Sequence, residues 1–223
     1  MLTILSNFPI VFNGGTYLWF FGGLDRFSND LDFTQNGKTA LKIPGIVSRD
    51  LELYGIENEM KILKDDDSGL SFRIAASGPL HTRDKDRCFL YVEVSRREPV
   101  ILKQVSLKLD FPEYQLQVHR IPGMALQEVG SEKVRAILTR KKARDIYDLY
   151  YLVTRKGIGF DQQLIDEKLR FYQRTFTAQE FVDQLESREK KFKKELVGIV
   201  FGELPEYFQV VETLRKWVHE TGK

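Results

Sequence analysis

Apolar residues fall in short runs between turn residues along the first half of the chain, and recur at helical spacing along the second half. Pro9 to Phe12 reads as a short strand that ends at Asn13-Gly14-Gly15. Thr16 to Phe21 is apolar on every side, which predicts a buried helix, and Gly22-Gly23 stops it. Leu31-Asp32-Phe33 alternates as a strand does. Val47, Leu51 and Tyr54 predict a helix over 46–54. Glu59 to Leu63 and Leu70 to Ala75 flank Asp65-Asp66-Asp67-Ser68-Gly69, a hairpin by composition. Cys88 to Val94, Val105 to Leu109 and Tyr114 to Val118 predict further strands. After Pro122, Gly and Pro become sparse. Helices are then predicted over Ala125 to Leu138, Ala143 to Val153, Ala178 to Val197 and Pro205 to Val218. The pattern is an α/β (α+β) sheet domain over residues 1–121 followed by a helical domain over residues 122–223. Trp19, Phe20, Phe21 and Trp217 read as core.

Composition narrows the class. With 42% hydrophobic and 30% charged residues among 223, the chain can bury a core and is not a disordered segment. One cysteine, Cys88, excludes an internal disulfide framework and an all-cysteine metal site. His81, His119 and His219 are too scattered for a histidine-rich metal site. Met1 to Phe12 lacks a basic leader, and no apolar run approaches the roughly 20 residues of a membrane-spanning helix; the expectation is a cytoplasmic protein with no membrane partner.

The net charge of +2 hides an uneven distribution. Residues 1–82 carry 7 basic and 10 acidic side chains, residues 83–144 carry 14 and 8, and residues 145–223 carry 13 and 14. A basic middle suits a polyanion such as nucleotide phosphates or RNA, and equally a solvated helix face.

Candidate chemistry concentrates early. A Gly14-Gly15 turn that opens a helix offers unobstructed N–H groups and a positive dipole end to phosphates, and the Thr16 hydroxyl adds a donor. Asp30 and Asp32, two apart on a strand, project from one face. Paired carboxylates repel unless a cation sits between them, and hard oxygen ligands favour magnesium or manganese over zinc. A glutamate buried between Val92 and Val94 would likewise call for a cation or donor.

The run from Gly14 to Phe33, GGTYLWFFGGLDRFSNDLDF, resembles the first motif of the AbiEii/AbiGii-type nucleotidyltransferases. These belong to the DNA-polymerase-β-like nucleotidyltransferase superfamily and include toxins of toxin–antitoxin and abortive-infection systems. The resemblance continues in Tyr91-Val92-Glu93-Val94-Ser95-Arg96-Arg97-Glu98, which puts Glu93 in the place of the third metal ligand. It extends to Glu132-Lys133-Val134-Arg135-Ala136 and on through Arg140 to Arg144-Asp145-Ile146-Tyr147-Asp148-Leu149.

The resemblance implies a polymerase-β-like mixed sheet with flanking helices and a C-terminal helical domain that supplies basic residues to the active-site cleft. Asp30, Asp32 and Glu93 would hold Mg2+ or Mn2+, with Lys133 as a further catalytic residue. Gly14, Gly15, Thr16, Lys133, Arg140 and Arg144 would bind the NTP. The implied activity is transfer of a nucleoside monophosphate to an RNA 3′ end, tRNA-like, with an antitoxin protein as possible partner. The alternatives are nucleotidylation of a protein, kinase-type phosphoryl transfer, and a non-catalytic nucleotide- or antitoxin-binding module. In a continuous helix, Lys133, Arg140, Arg144 and Asp148 would share a face, with Arg144 and Asp148 spaced for an ion pair; Asp145 and Asp148 would orient the basic residues. Two departures from the family pattern stand out. Twelve residues precede Asn13 where the family has helical sequence, and Asn13 stands where lysine is common. Either a more open nucleotide pocket or a sequence that starts late is the expected explanation.

Overall fold

The structure is a computed structural model that describes residues 1–37, 42–78, 81–112 and 117–219. Among them, β1 (Ile10–Asn13), β2 (Leu31–Gln35), β3 (Asn58–Asp66), β4 (Gly69–Ala76), β5 (Cys88–Ser95), β6 (Val105–Leu109) and β7 (His119–Gly123) form one sheet. Its order is β3-β4-β5-β2-β1-β7-β6. β2 runs parallel to β5 and β1 parallel to β7, while the other neighbours are antiparallel. The mixed α/β architecture is the one the sequence pattern implies.

Alternation decides which way the strands face. Phe12, Phe33, Val92, Val94, Phe72 and Ile74 are buried to within 2%. Helix α1 (Leu2–Leu5) and helix α3 (Ile43–Leu53) pack together, and α3 also packs on β3. Helix α3 starts earlier than the period suggested because Pro44 fits its first turn, where no N–H is needed. Edge strand β3 is mostly exposed and carries a register shift between Ile62 and Lys64. Bulge and charge together discourage edge pairing. Most of the expected strand over Tyr114 to Val118 lies outside the described residues; the strand found at that end of the chain segment is β7.

The chain gathers into two compact units, Met1–Tyr17 with Asn29–Met124, and Leu18–Ser28 with Ala125–Lys223. The expected division near residue 121 therefore shifts slightly, and the segment 18–28 joins the helical unit. Hydrogen bonds explain the transfer. Arg26 binds Asp148, the Tyr147 hydroxyl donates to Asp25 Oδ1 at 2.7 Å, and Phe27 N donates to the Ile199 carbonyl at 2.7 Å. The element that leaves one unit and enters the other is helix α2 (Gly14–Gly22). Its apolar run is less buried than expected: Phe20 is 41% exposed, and Trp19 is half-buried among the rings of Phe20, Phe27 and Phe201.

The helical unit is built around α4 (Leu126–Thr139), which packs against α5 (Arg144–Lys156), α6 (Gln162–Leu169) and α7 (Ala178–Glu186). Helices α8 (Glu189–Leu196) and α9 (Tyr207–His219) complete it among the described residues. Trp217 is buried on α9 and donates its indole N–H to the Ile158 carbonyl at 2.9 Å. The single helix expected over 178–197 is two. The chain turns at Arg188, whose buried guanidinium donates to the Gln184 side chain and the Ile137 carbonyl. Helix α6 lacks a conspicuous apolar stripe in sequence, because one of its fully buried side chains is Lys168.

Candidate active site

In the sheet unit, the first motif forms around one register. Asn13, the last residue of β1, pairs with Asp32 of β2, and Gly14 follows at φ +76. That conformation favours glycine, and a Cβ here would stand 2.3 Å from Asp32 Oδ2. The Asp32 carboxylate therefore lies against bare backbone at the start of α2. Thr16 is buried, and its hydroxyl donates to the Asp30 carbonyl at 2.5 Å, tying the approach to β2 onto the helix. In this arrangement the hydroxyl expected to serve a phosphate donates to the backbone. Asn13 Nδ2 donates to Thr34 Oγ1 at 2.7 Å and so braces β1 against β2.

Strand β5 brings the second motif alongside. Asp32 stands opposite Glu93 in the parallel pairing, so the two carboxylates leave neighbouring strands on the same side. Asp30, just ahead of β2, is half-buried. The structure thus gathers Gly14, Gly15, Thr16, Asp30, Asp32 and Glu93 on the adjoining ends and strands of one sheet. It also corrects the burial argument for Glu93. Alternation sends Val92 and Val94 inward and leaves the Glu93 side chain 54% exposed, with Arg97 Nη2 at 3.1 Å from Oε1. Among the described residues no three His, Cys, Asp or Glu side chains converge as a ready-formed metal cage.

The third motif lies in the helical unit, where it forms a buried charge network. Lys133 Nζ stands 3.2 Å from Asp145 Oδ1 and 2.6 Å from Asp148 Oδ2. Arg140 binds both oxygens of Asp145 at 2.8 Å, and Arg26 binds both oxygens of Asp148 at 2.6 and 2.7 Å. Burial alone would raise the pKa of each carboxyl. Lys133 with Arg140 for Asp145, and Lys133 with Arg26 for Asp148, outweigh that cost and hold both below the ordinary carboxylate range.

Two expectations change here. The shared face that a continuous helix would give Lys133, Arg140, Arg144 and Asp148 does not form, because the helices expected over Ala125 to Leu138 and Ala143 to Val153 are separate, with Arg140 extended at φ −141, ψ 162 between them. The Ala143 N–H goes to Glu195 Oε2 at 2.8 Å, and α5 starts anew, with Asp145 in its first turn facing Arg140. Asp148 accordingly pairs with Arg26 and Lys133, not with Arg144, which is half-buried one turn away. Glu132 points elsewhere again: with Glu128 it encloses the fully buried Lys168, at 3.2 and 2.5 Å.

Sequence reading missed Arg26, Glu128 and Lys168. Arg26 is a lone arginine in a short segment and carries no local signal for a partner 122 positions away. Glu128 and Glu132 at i, i+4 mark one helix face, but nothing in the spacing names Lys168.

Comparison with known proteins places the chain in a family and shows its fold in solved structures. The family described as nucleotidyl transferase AbiEii toxin, type IV toxin–antitoxin system, matches residues 6–214. No curated protein sequence matches the chain. Solved structures that share the fold include the following two. MenT4, a nucleotidyltransferase toxin from Mycobacterium tuberculosis, superposes with a TM-score of 0.64 at 22% identity over 97% of this chain and 78% of its own. JHP933 from Helicobacter pylori gives 0.62 at 21% identity over 98% of this chain and 87% of its own. On the family match across nearly its whole length, the chain belongs to the AbiEii nucleotidyltransferase toxins and is a nucleotidyltransferase.

Proposed function

We propose that the chain transfers a nucleoside monophosphate from an NTP to the 3′-terminal hydroxyl of a tRNA-like RNA, with a divalent cation, Mg2+ or Mn2+, as cofactor. The observation that carries this reading is the register that sets Asp32 beside both Glu93 and the bare Gly14 backbone. The residues fit such an ion by chemistry: Asp30, Asp32 and Glu93 are an all-oxygen donor set, and a side chain at position 14 would displace one of them. When bound, the ion supplies Lewis acidity to the phosphates and a lower pKa to the attacking hydroxyl.

The chain's own groups do the rest. The Gly14 and Gly15 amides at the start of α2 receive phosphate oxygens, where the helix dipole favours negative charge. Thr16 holds Asp30 in place through its carbonyl. Arg140, 44% exposed while bound to Asp145, is the basic residue we assign to the triphosphate; Lys133, at 8%, orients the Asp145 and Asp148 carboxylates from inside. The acceptor oxygen forms a bond to the α-phosphorus as the bond to the β-phosphate bridging oxygen breaks, and pyrophosphate leaves. Most of the acceleration comes from positioning and electrostatics.

The test is to incubate the protein with α- or γ-labelled NTPs, magnesium or manganese, and total RNA. Label from the α-position should enter RNA, and an Asp32→Ala variant should abolish it. Entry of γ-label would mean kinase chemistry, and α-label in protein would mean a protein acceptor. No transfer above the Asp32→Ala control with either metal would end the catalytic assignment of these carboxylates.

A further inference from the structure

The face of the sheet that carries Glu93 continues away from it as an open, aromatic and basic surface. Phe89, Tyr91 and Glu93 alternate along β5, so their side chains share one face at steps of about 6.7 Å. Phe89 and Tyr91 are 42% and 41% exposed, while Val92 and Val94 on the other face are buried. The register extends the surface sideways: Tyr91 lies opposite Arg73 of β4, which lies opposite Lys61 of β3. The Arg73 guanidinium sits over the Phe89 ring, 5.1 Å from its centroid, and Lys61 is exposed. Glu59, the nearby carboxylate on β3, is paired with Arg87 at 3.0 Å, which offsets its charge.

A solvated sheet face is ordinary in an antiparallel sheet, but it ordinarily carries small or charged side chains. Two half-exposed rings interleaved with cations, leading to a catalytic carboxylate, need an occupant that is planar, anionic and repeating. Unpaired nucleotides have that chemistry: bases stack on aromatic rings of an open sheet while phosphates meet Arg and Lys. We propose that β3, β4 and β5 form the acceptor track, with unpaired nucleotides upstream of the RNA 3′ end stacked on Tyr91 and Phe89 and their phosphates against Arg73 and Lys61. The inference rests on RNA being the acceptor, and it assigns that acceptor a path along the strand that ends at Glu93.

The experiment separates the two ideas. Binding of a fluorescein-labelled, eight-nucleotide single-stranded RNA is followed by anisotropy, alongside transfer kinetics with α-labelled NTP. Tyr91→Ala and Phe89→Ala should each weaken binding about tenfold and raise the KM for RNA with the KM for NTP unchanged. Tyr91→Trp should retain affinity. Arg73→Ala should reduce the slope of log affinity against log salt by about 0.7, one phosphate's share on a single strand. A 4-thiouridine in the oligonucleotide should crosslink to the peptide containing Phe89 and Tyr91. Thermal melts confirm that each variant folds. The track is overturned if the double variant Tyr91→Ala, Phe89→Ala binds and uses RNA as the wild type does, or if the wild type does not bind the oligonucleotide. It is also overturned if the double variant loses only transfer to a protein. Wild-type transfer to protein with none to RNA overturns the acceptor reading itself.

Discussion

A backbone torsion at Gly14 and a carboxylate at Asp32 occupy the same few cubic ångströms, so the smallest change there has the largest expected effect. Gly14→Ala adds a methyl group where Asp32 Oδ2 already stands and asks an L-residue to adopt φ +76. Asp32 must move, and displacement of a reacting or ligating group by about 1 Å costs on the order of a hundredfold in rate. We therefore expect Gly14→Ala to lower kcat/KM for NTP at least that far with only modest loss of melting temperature, as steady-state kinetics and a thermal melt would show; unchanged kinetics would remove Asp32 from the site. Asp148 is the opposite case, a residue whose loss is felt in stability. It holds Arg26, itself 2% exposed, through two bonds, and shares Lys133. Asp148→Asn leaves a buried guanidinium without its counter-charge, which should cost about 3–5 kcal/mol in urea unfolding. A loss below about 1 kcal/mol would mean that Arg26 finds another partner or water.

At the scale of elements, the strand, Gly-Gly turn, helix and second strand of the first motif were legible because each carries its own local signal: turn glycines, an apolar run, period-two alternation. The gap between α4 and α5 was legible as the interval between the helices expected over Ala125 to Leu138 and Ala143 to Val153, but its cause was not. Thr139-Arg140-Lys141-Lys142 contains no Gly or Pro, and the break exists because Asp145 captures Arg140 and Glu195 captures the Ala143 N–H. Those are tertiary contacts that override local propensity. Glu93 was placed on the right strand by its motif, yet its exposure depended on which face of β5 the core would cover. The captured network also predicts a pH dependence. Asp145 and Asp148 titrate below the ordinary carboxylate range when folded, whereas in the unfolded chain they take up protons near pH 4. Their stabilising contribution is thus fully present above that value and is lost as pH falls through the folded pKa values. Urea midpoints measured from pH 7 down to pH 3 should fall steeply at the acid end for the wild type. Asp145→Asn should start lower and fall less steeply; an equal slope in both would exclude Asp145 as a source of the dependence.

Over the whole molecule, the path of the chain matters more than the net charge of +2. The polypeptide leaves the sheet unit at Leu18, contributes Leu18–Ser28 to the helical unit, and returns at Asn29 to make β2 with its Asp32. That excursion is why a boundary drawn from composition alone near residue 121 mistakes the helical unit for a contiguous piece. The excursion supplies Arg26 to Asp148, Asp25 to the Tyr147 hydroxyl, the Gly22 and Gly23 carbonyls to the Tyr151 hydroxyl, and two backbone bonds to residues 199 and 201. A fragment of residues 125–223 would keep α4 to α9 but lose all of these. Its Asp148 would retain Lys133 alone, which Asp145 also shares, and Leu24, buried in the full chain, would leave a gap. Two losses of this kind, a buried ion pair at about 3–5 kcal/mol and a buried leucine at about 2–5 kcal/mol, together match the whole stability of a typical small domain. The fragment should therefore show helical circular dichroism without a cooperative urea transition, whereas the full chain unfolds cooperatively. Adding a peptide of residues 18–28 should restore part of the transition, and the same peptide with Arg26→Ala should restore less. A fragment that unfolds cooperatively on its own, with the full chain's midpoint, would show that the helical unit does not depend on the segment it borrows from the N-terminal half.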